Sequence, residues 1–212
     1  MLEDSCTCCG IPENRDDRTA TTATQWSTET PVLEAQLPEE LQAALGRFLG
    51  TEPVETLGDW TTAVRRLAGD GSITLEELCL SEEPTDHWAL VDGERYDFAC
   101  FYDAVILAGL TDRPVDIRTK SPGGTVIEAR AIGTSELTVA PREAVFSFGI
   151  DASVEPPSDG EPSLEQGYAA ICPYVKAFPD RTAYERWATT VPAATVAMPL
   201  SGATEFATQL VR

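Results

Sequence analysis

Cys100 and Asp103 stand three residues apart in the most apolar run of the chain, Tyr96 to Leu110, which reads Tyr-Asp-Phe-Ala-Cys-Phe-Tyr-Asp-Ala-Val-Ile-Leu-Ala-Gly-Leu. Residues i and i+3 share one helix face, so a helix here sets a thiol beside a carboxyl group. If Asp97 lies near the helix start, Cys100 falls in the first turn, where unpaired N–H groups and the helix dipole favour a thiolate. A reactive sulfur next to a group that can carry a proton suits nucleophilic or soft-metal chemistry with general acid help. The competing reading is structural: cysteine is a common small core filler, and the aspartate could pair with Arg95. Another cysteine, Cys172, sits in Tyr168-Ala-Ala-Ile171-Cys172-Pro173-Tyr174-Val175-Lys176-Ala-Phe178, which reads as a buried strand interrupted at Pro173. Cys6, Cys8 and Cys9 lie within four residues near the start and could chelate a soft metal ion. Cys79 reads as a packed thiol. The single histidine, His87, excludes a His-based metal site and an ordinary Ser-His-Asp arrangement.

The elements around these residues divide the chain. Residues 1–30 read as a polar tail carrying the cysteine triplet, with no apolar period. From 31 to 95 the pattern is helical. Leu41, Ala44, Leu45, Phe48 and Leu49 form one apolar face, Pro38 suits the first turn and Gly50 the stop. Leu57 to Leu67 reads as a second helix, and Thr74 to Leu80 as a short third one with Thr74 and Glu77 as a capping box. Asp92-Gly93 then marks a hairpin. Three helices and a hairpin suggest a winged-helix-like scaffold. Beyond the central helix, which Gly109 could stop, the segments 115–119, 126–130, 136–139 and 144–148 alternate as strands. Residues 151–166 read as an acidic surface loop. A helix capped by Asp180, a strand at 195–200 and a last helix capped by Ser201 complete the chain. The expected class is α+β: an N-terminal three-helix winged-helix-like module, then a mixed or antiparallel sheet core over 96–212 flanked by helices.

Charge narrows the partners. Thirty-five Asp and Glu against fifteen Lys and Arg give a formal net charge of −20. That balance, with no basic stripe, argues against nucleic acid. It suits a salt-adapted cytoplasmic protein whose hydrated acidic surface keeps it soluble. No apolar run reaches the roughly eighteen residues of a membrane span, and the first residues resemble no secretory signal. In a reducing compartment the six cysteines are better read as metal-binding or catalytic thiols than as disulfides.

The order of these segments adds a resemblance. Cys100-x-x-Asp103 heads an apolar helix, Leu137-Thr-Val139 lies in the strand meander, and Cys172-x-x-Val175 leads through Phe178 to a helix with Trp187. From about Leu37 to the end the chain resembles the organomercurial (alkylmercury) lyase family. The resemblance implies that Cys100, Asp103 and Cys172 are catalytic: the two cysteines hold mercury and the aspartate shuttles a proton, so that a carbon–mercury bond is cleaved to hydrocarbon and Hg(II). It implies no cofactor, with Hg(II) as bound product on Cys100, Cys172 and Asp103, free thiols as acceptor, and a mercuric reductase as recipient of the ion. Cys6, Cys8 and Cys9 could assist that transfer. The turn Lys120-Ser121-Pro122-Gly123 lacks a cysteine that family members often carry, and Pro173, Tyr174 and Lys176 replace their usual Cys and His residues. Phe98, Phe101, Tyr102, Phe146 and Phe148 are candidates to wall a dry pocket for the organic group. Monomer and dimer are both open. The alternative function is a non-catalytic thiol protein that binds or passes on soft ions such as Hg(II) or Cu(I).

Overall fold

The computed structural model describes residues 31–211 apart from 70 and 159; the cysteine triplet at 6–9 lies outside them. The architecture is α+β, with helices first and antiparallel sheets after. Helix α1 (Glu39–Leu49) starts on Pro38 and ends where Gly50 takes the left-handed conformation (φ 65°), which glycine adopts without steric cost. Helix α2 (Leu57–Leu67) is entered through a capping box between Thr56 and Asp59. The third helix expected at 74–80 is only a single 3-10 turn, Leu75–Glu77. The Thr74–Glu77 capping box is present, but Leu78 is already extended and its chain runs straight into strand β1 (Leu80–Ser81).

Strands β2 (His87–Val91) and β3 (Glu94–Phe98) form the hairpin that Asp92-Gly93 signals, both turn residues having positive φ. They belong to a six-stranded antiparallel sheet with β4 (Pro114–Lys120), β5 (Val126–Ile132) and β6 (Glu136–Ala140), in the order β1-β3-β2-β4-β5-β6. Strand β4 alternates strictly between exposed and buried residues, so one face of this sheet meets solvent. A second, three-stranded antiparallel sheet holds β7 (Val145–Asp151) at its centre, between β8 (Ala177–Phe178) and β9 (Ala193–Pro199). Strand β7 is buried from Val145 to Ile150, as a strand covered on both faces must be.

The central helix α3 runs Phe101–Thr111 and buries every residue from Phe101 to Ala108. A helix apolar on all sides has to be enclosed, and α3 packs between the six-stranded sheet and the C-terminal helix α6 (Ala203–Val211). Gly109 does not stop it; the helix continues two residues further, and Asp112 closes it in the left-handed region. The expected loop over 151–166 and strand over 168–178 are corrected as well. Helix α4 (Leu164–Ile171) begins at a Ser163–Gln166 capping box, and a 3-10 turn, Cys172–Tyr174, follows with Pro173 near its start. Proline lacks the N–H that a strand would use but fits the first turn of a helix. Asp180 caps α5 (Arg181–Ala188) through the N–H of Ala183.

Candidate functional site

Cys100 is the N-cap of α3, one position earlier than a first-turn residue, with an extended backbone (φ −123°, ψ 132°). Asp103 is then the third residue of the helix, so the sulfur and the carboxyl flank the same N-terminal end of the α3 backbone. Both are buried, at 2% and 5% exposure. The peptide at Cys79 braces this corner from outside the helix. Its N–H donates to Asp103 Oδ2 at 2.9 Å, and its carbonyl accepts from the N–H of Ala99, the residue before Cys100, also at 2.9 Å. Arg95 is engaged elsewhere, in two 2.7 Å bonds to Asp97.

Cys172 reaches the same place from the far side. It closes α4, its N–H bonding to the carbonyl of Tyr168, and opens the 3-10 turn. Ser147 on β7 holds that turn in place, its hydroxyl donating to the carbonyl of Tyr174 at 2.7 Å. The Cys172 side chain is buried at 6% exposure.

Cys100, Asp103 and Cys172 all line one cavity of about 60 Å³. Its other walls are Trp60, Val64 and Leu67 of α2, Tyr102 and Ile106 of α3, Phe148 of β7, and Phe206 and Leu210 of α6, with Tyr168 on the α4 side. Among the described residues, no lysine, arginine or histidine lines it. Of the five aromatic candidates, Tyr102 and Phe148 line the cavity, whereas Phe98, Phe101 and Phe146 are buried in the core and do not line it. Trp60, Phe206 and Tyr168 were not singled out from the sequence. Trp60 and Phe206 both pack against Phe148, at ring-centroid distances of 5.9 Å. Their apolar helical spacing marks them as core and carries no sign that a cavity borders them.

The polar atoms of this cavity differ in how far they are satisfied. The Tyr102 hydroxyl donates to the carbonyl of Ala203. The Tyr168 hydroxyl is buried without a partner. Burial pushes its pKa up, and the nearby acidic groups Asp103, Cys79, Cys172 and Glu77 push it further the same way. Among the described residues, no three His, Cys, Asp or Glu side chains form a preformed metal cluster. Cys79, Cys100 and Cys172 are free of disulfides. The arrangement therefore offers two thiols and a carboxyl group to one apolar chamber. Thiols and a carboxyl group are the residue types that soft-ion binding and proton transfer call for.

His87 stands apart from this chamber, on β2, with Nδ1 2.6 Å from Thr119 Oγ1. Burial lowers its pKa to about 4, with Lys176 pushing the same way and Asp86 opposing. Among the described residues no helix is long and apolar enough to cross a membrane.

Comparison with known proteins adds a family-level finding. A family model described as alkylmercury lyase (MerB) matches residues 80–212, more than half of the 212-residue chain. No curated protein matches the chain. Among solved structures, the crystal structure of the mercury-bound form of MerB2 is similar at a TM-score of 0.44 and 16% identity, over 82% of this chain and 91% of that one.

Proposed function

The chain belongs to the alkylmercury lyase family, and from that premise we propose that it cleaves the carbon–mercury bond of organomercury compounds by protonolysis, using Cys100, Cys172 and Asp103. The observation that carries this reading is the meeting of these three side chains, from segments some seventy residues apart in the sequence, on one apolar cavity.

Mercury is soft, and thiolate sulfur is its preferred ligand. Cys100 lies at the N-terminal end of α3 and Cys172 at the C-terminal end of α4. The positive end of a helix dipole favours an anion and the negative end opposes one. Cys100 is therefore the sulfur suited to attack first, displacing the thiolate that brings R–Hg in. Cys172 then gives its proton to Asp103, and its sulfur joins the metal. Two sulfurs on mercury weaken the bond to carbon. Asp103 returns the proton to the departing carbon, so that R–H leaves and Hg(II) stays on the two sulfurs. The Cys79 N–H fixes one carboxylate oxygen throughout. The apolar walls keep bulk water from the proton in transit.

On the same reading, the helices of 31–95 act as scaffold, since Trp60, Val64 and Leu67 wall the chamber of the 96–212 core. The winged-helix-like reading of that module, the salt-adapted cytoplasmic setting, and transfer of Hg(II) to free thiols or a mercuric reductase, aided by Cys6, Cys8 and Cys9, belong to this proposal too. The test is turnover. Purified protein with excess thiol and methylmercury should release methane beyond one equivalent. Stoichiometric mercury binding without methane would leave only ion capture.

A further inference from the structure

Tyr168 is the polar group of the cavity that this chemistry leaves unused. It stands four residues before Cys172 on α4, on the same helix face, and its ring lines the chamber beside Cys100, Asp103 and Cys172. Among the described residues, its hydroxyl is the one buried side-chain oxygen or nitrogen without a hydrogen-bond partner. The other phenol on the chamber, Tyr102, has already committed its O–H to Ala203. A buried hydroxyl left unpaired costs folding free energy that a phenylalanine here would not. The fold is better served by this oxygen when something in the chamber accepts its proton.

We propose that Tyr168 is a specificity-determining residue whose hydroxyl donates a hydrogen bond to an uncharged oxygen, an ether or a hydroxyl, on the organic group of a small organomercury substrate. This deepens the lyase reading and rests on it. The acceptor is uncharged because the titratable groups around the phenol are Asp103, Cys79, Cys172 and Glu77, all acidic, and among the described residues the chamber has no cationic wall. A carboxylate entering there would meet the Asp103 carboxyl group and no cation among the described residues. The acceptor belongs to the organic group because mercury itself draws sulfur. The substrate carries a short organic group because the chamber measures about 60 Å³. The phenol keeps its proton throughout, its pKa being raised by burial and by those acidic neighbours, so it orients the substrate and does not supply the reacting proton.

The test compares 2-methoxyethylmercury with n-butylmercury, which differ by an ether oxygen in place of a methylene at equal chain length. Wild-type protein should show a KM about tenfold lower for the methoxyethyl compound, with similar kcat for both. Tyr168→Phe, which keeps the ring, should remove that preference by raising KM for the methoxyethyl compound to the level of n-butylmercury. Equal KM values in the wild type would overturn the assignment. So would a Tyr168→Phe variant whose kcat falls alike for both compounds, since the hydroxyl would then serve the reacting groups. Retention of each compound on the protein after gel filtration, read by mass spectrometry, gives the same preference without turnover. Preferential retention with no hydrocarbon formed would sink the lyase reading and leave the Tyr168 assignment standing.

Discussion

The backbone N–H of Cys79 donates to Asp103 Oδ2 at 2.9 Å. The carbonyl of the same residue accepts from Ala99, just before Cys100. One peptide segment leading into β1 thus sets both the entry to α3 and the orientation of the carboxyl group in its first turn. Cys79 contributes only main-chain atoms to both bonds, so the tie survives a change of side chain at position 79.

Cys79→Ala should therefore leave hydrocarbon release unchanged. Gas chromatography of the headspace over methylmercury and excess thiol is the check. A dead Cys79→Ala variant would mean that a third sulfur takes part in the reaction.

Asp103→Asn keeps an oxygen for the Cys79 N–H but cannot carry a proton between sulfur and carbon. Its turnover should fall by about 10²- to 10⁴-fold, the usual loss when a positioned acid–base group is removed. Mercury bound per chain, measured by atomic absorption after gel filtration, should stay near the wild-type level. An undiminished rate would remove the aspartate from the proton path.

Gly149 sits in β7 next to Phe148, and a Cβ there would meet Ala194 O and Thr195 Cγ2, each at 2.6 Å. Both neighbours belong to β9, where Thr195 is the direct partner of Gly149. Gly149→Ala should destabilise the fold by about 1–3 kcal/mol, as overpacking does, and should slow turnover by displacing Phe148 from the cavity wall. Urea denaturation and single-turnover kinetics read the two effects separately.

Stability should also fall in mild acid through His87, the only histidine. Its pKa drops from 6.5 to about 4 on folding, first because burial disfavours the charged ring. Between those values the unfolded chain binds a proton that the folded one does not. The histidine's contribution is therefore intact above pH about 6.5, is lost as pH falls, and is gone below about 4, amounting to roughly 3 kcal/mol at most. His87→Asn should flatten the slope of Tm against pH across that window. An unchanged slope would assign the acid sensitivity to other groups.

A formal net charge of −20 implies self-repulsion that salt relieves. Tm should rise as KCl is raised to molar concentration. A flat or falling Tm would argue against the salt-adapted reading.

Much of the scaffold could be read from local chemistry. Asp92-Gly93 can adopt the positive φ values that a tight hairpin needs, and Gly50 and Asp180 are end signals that act within a few residues. The Cys172 segment is ambiguous by local rules, since Pro173 breaks a strand but also fits the first turn of a helix, and the Ser163–Gln166 capping box upstream favours the helix. The short spacing of Cys100 and Asp103 was legible as a shared helix face. Their meeting with Cys172 was supplied only by the family resemblance, since nothing local links residues so far apart. Tyr168 and the Cys79 peptide were invisible for a related reason. An unpaired phenol is defined by what the tertiary fold fails to bring near it, and a main-chain N–H has the same chemistry in every residue but proline.

The proposed protonolysis is tested most directly by running the reaction in D₂O with methylmercury and excess thiol, and analysing the gas by mass spectrometry. The account predicts monodeuterated methane in several-fold excess over protein from the wild type, and none from Asp103→Ala, although that variant still binds mercury. Mercury held at one equivalent with no methane from the wild type, or the same methane yield from Asp103→Ala, would contradict it.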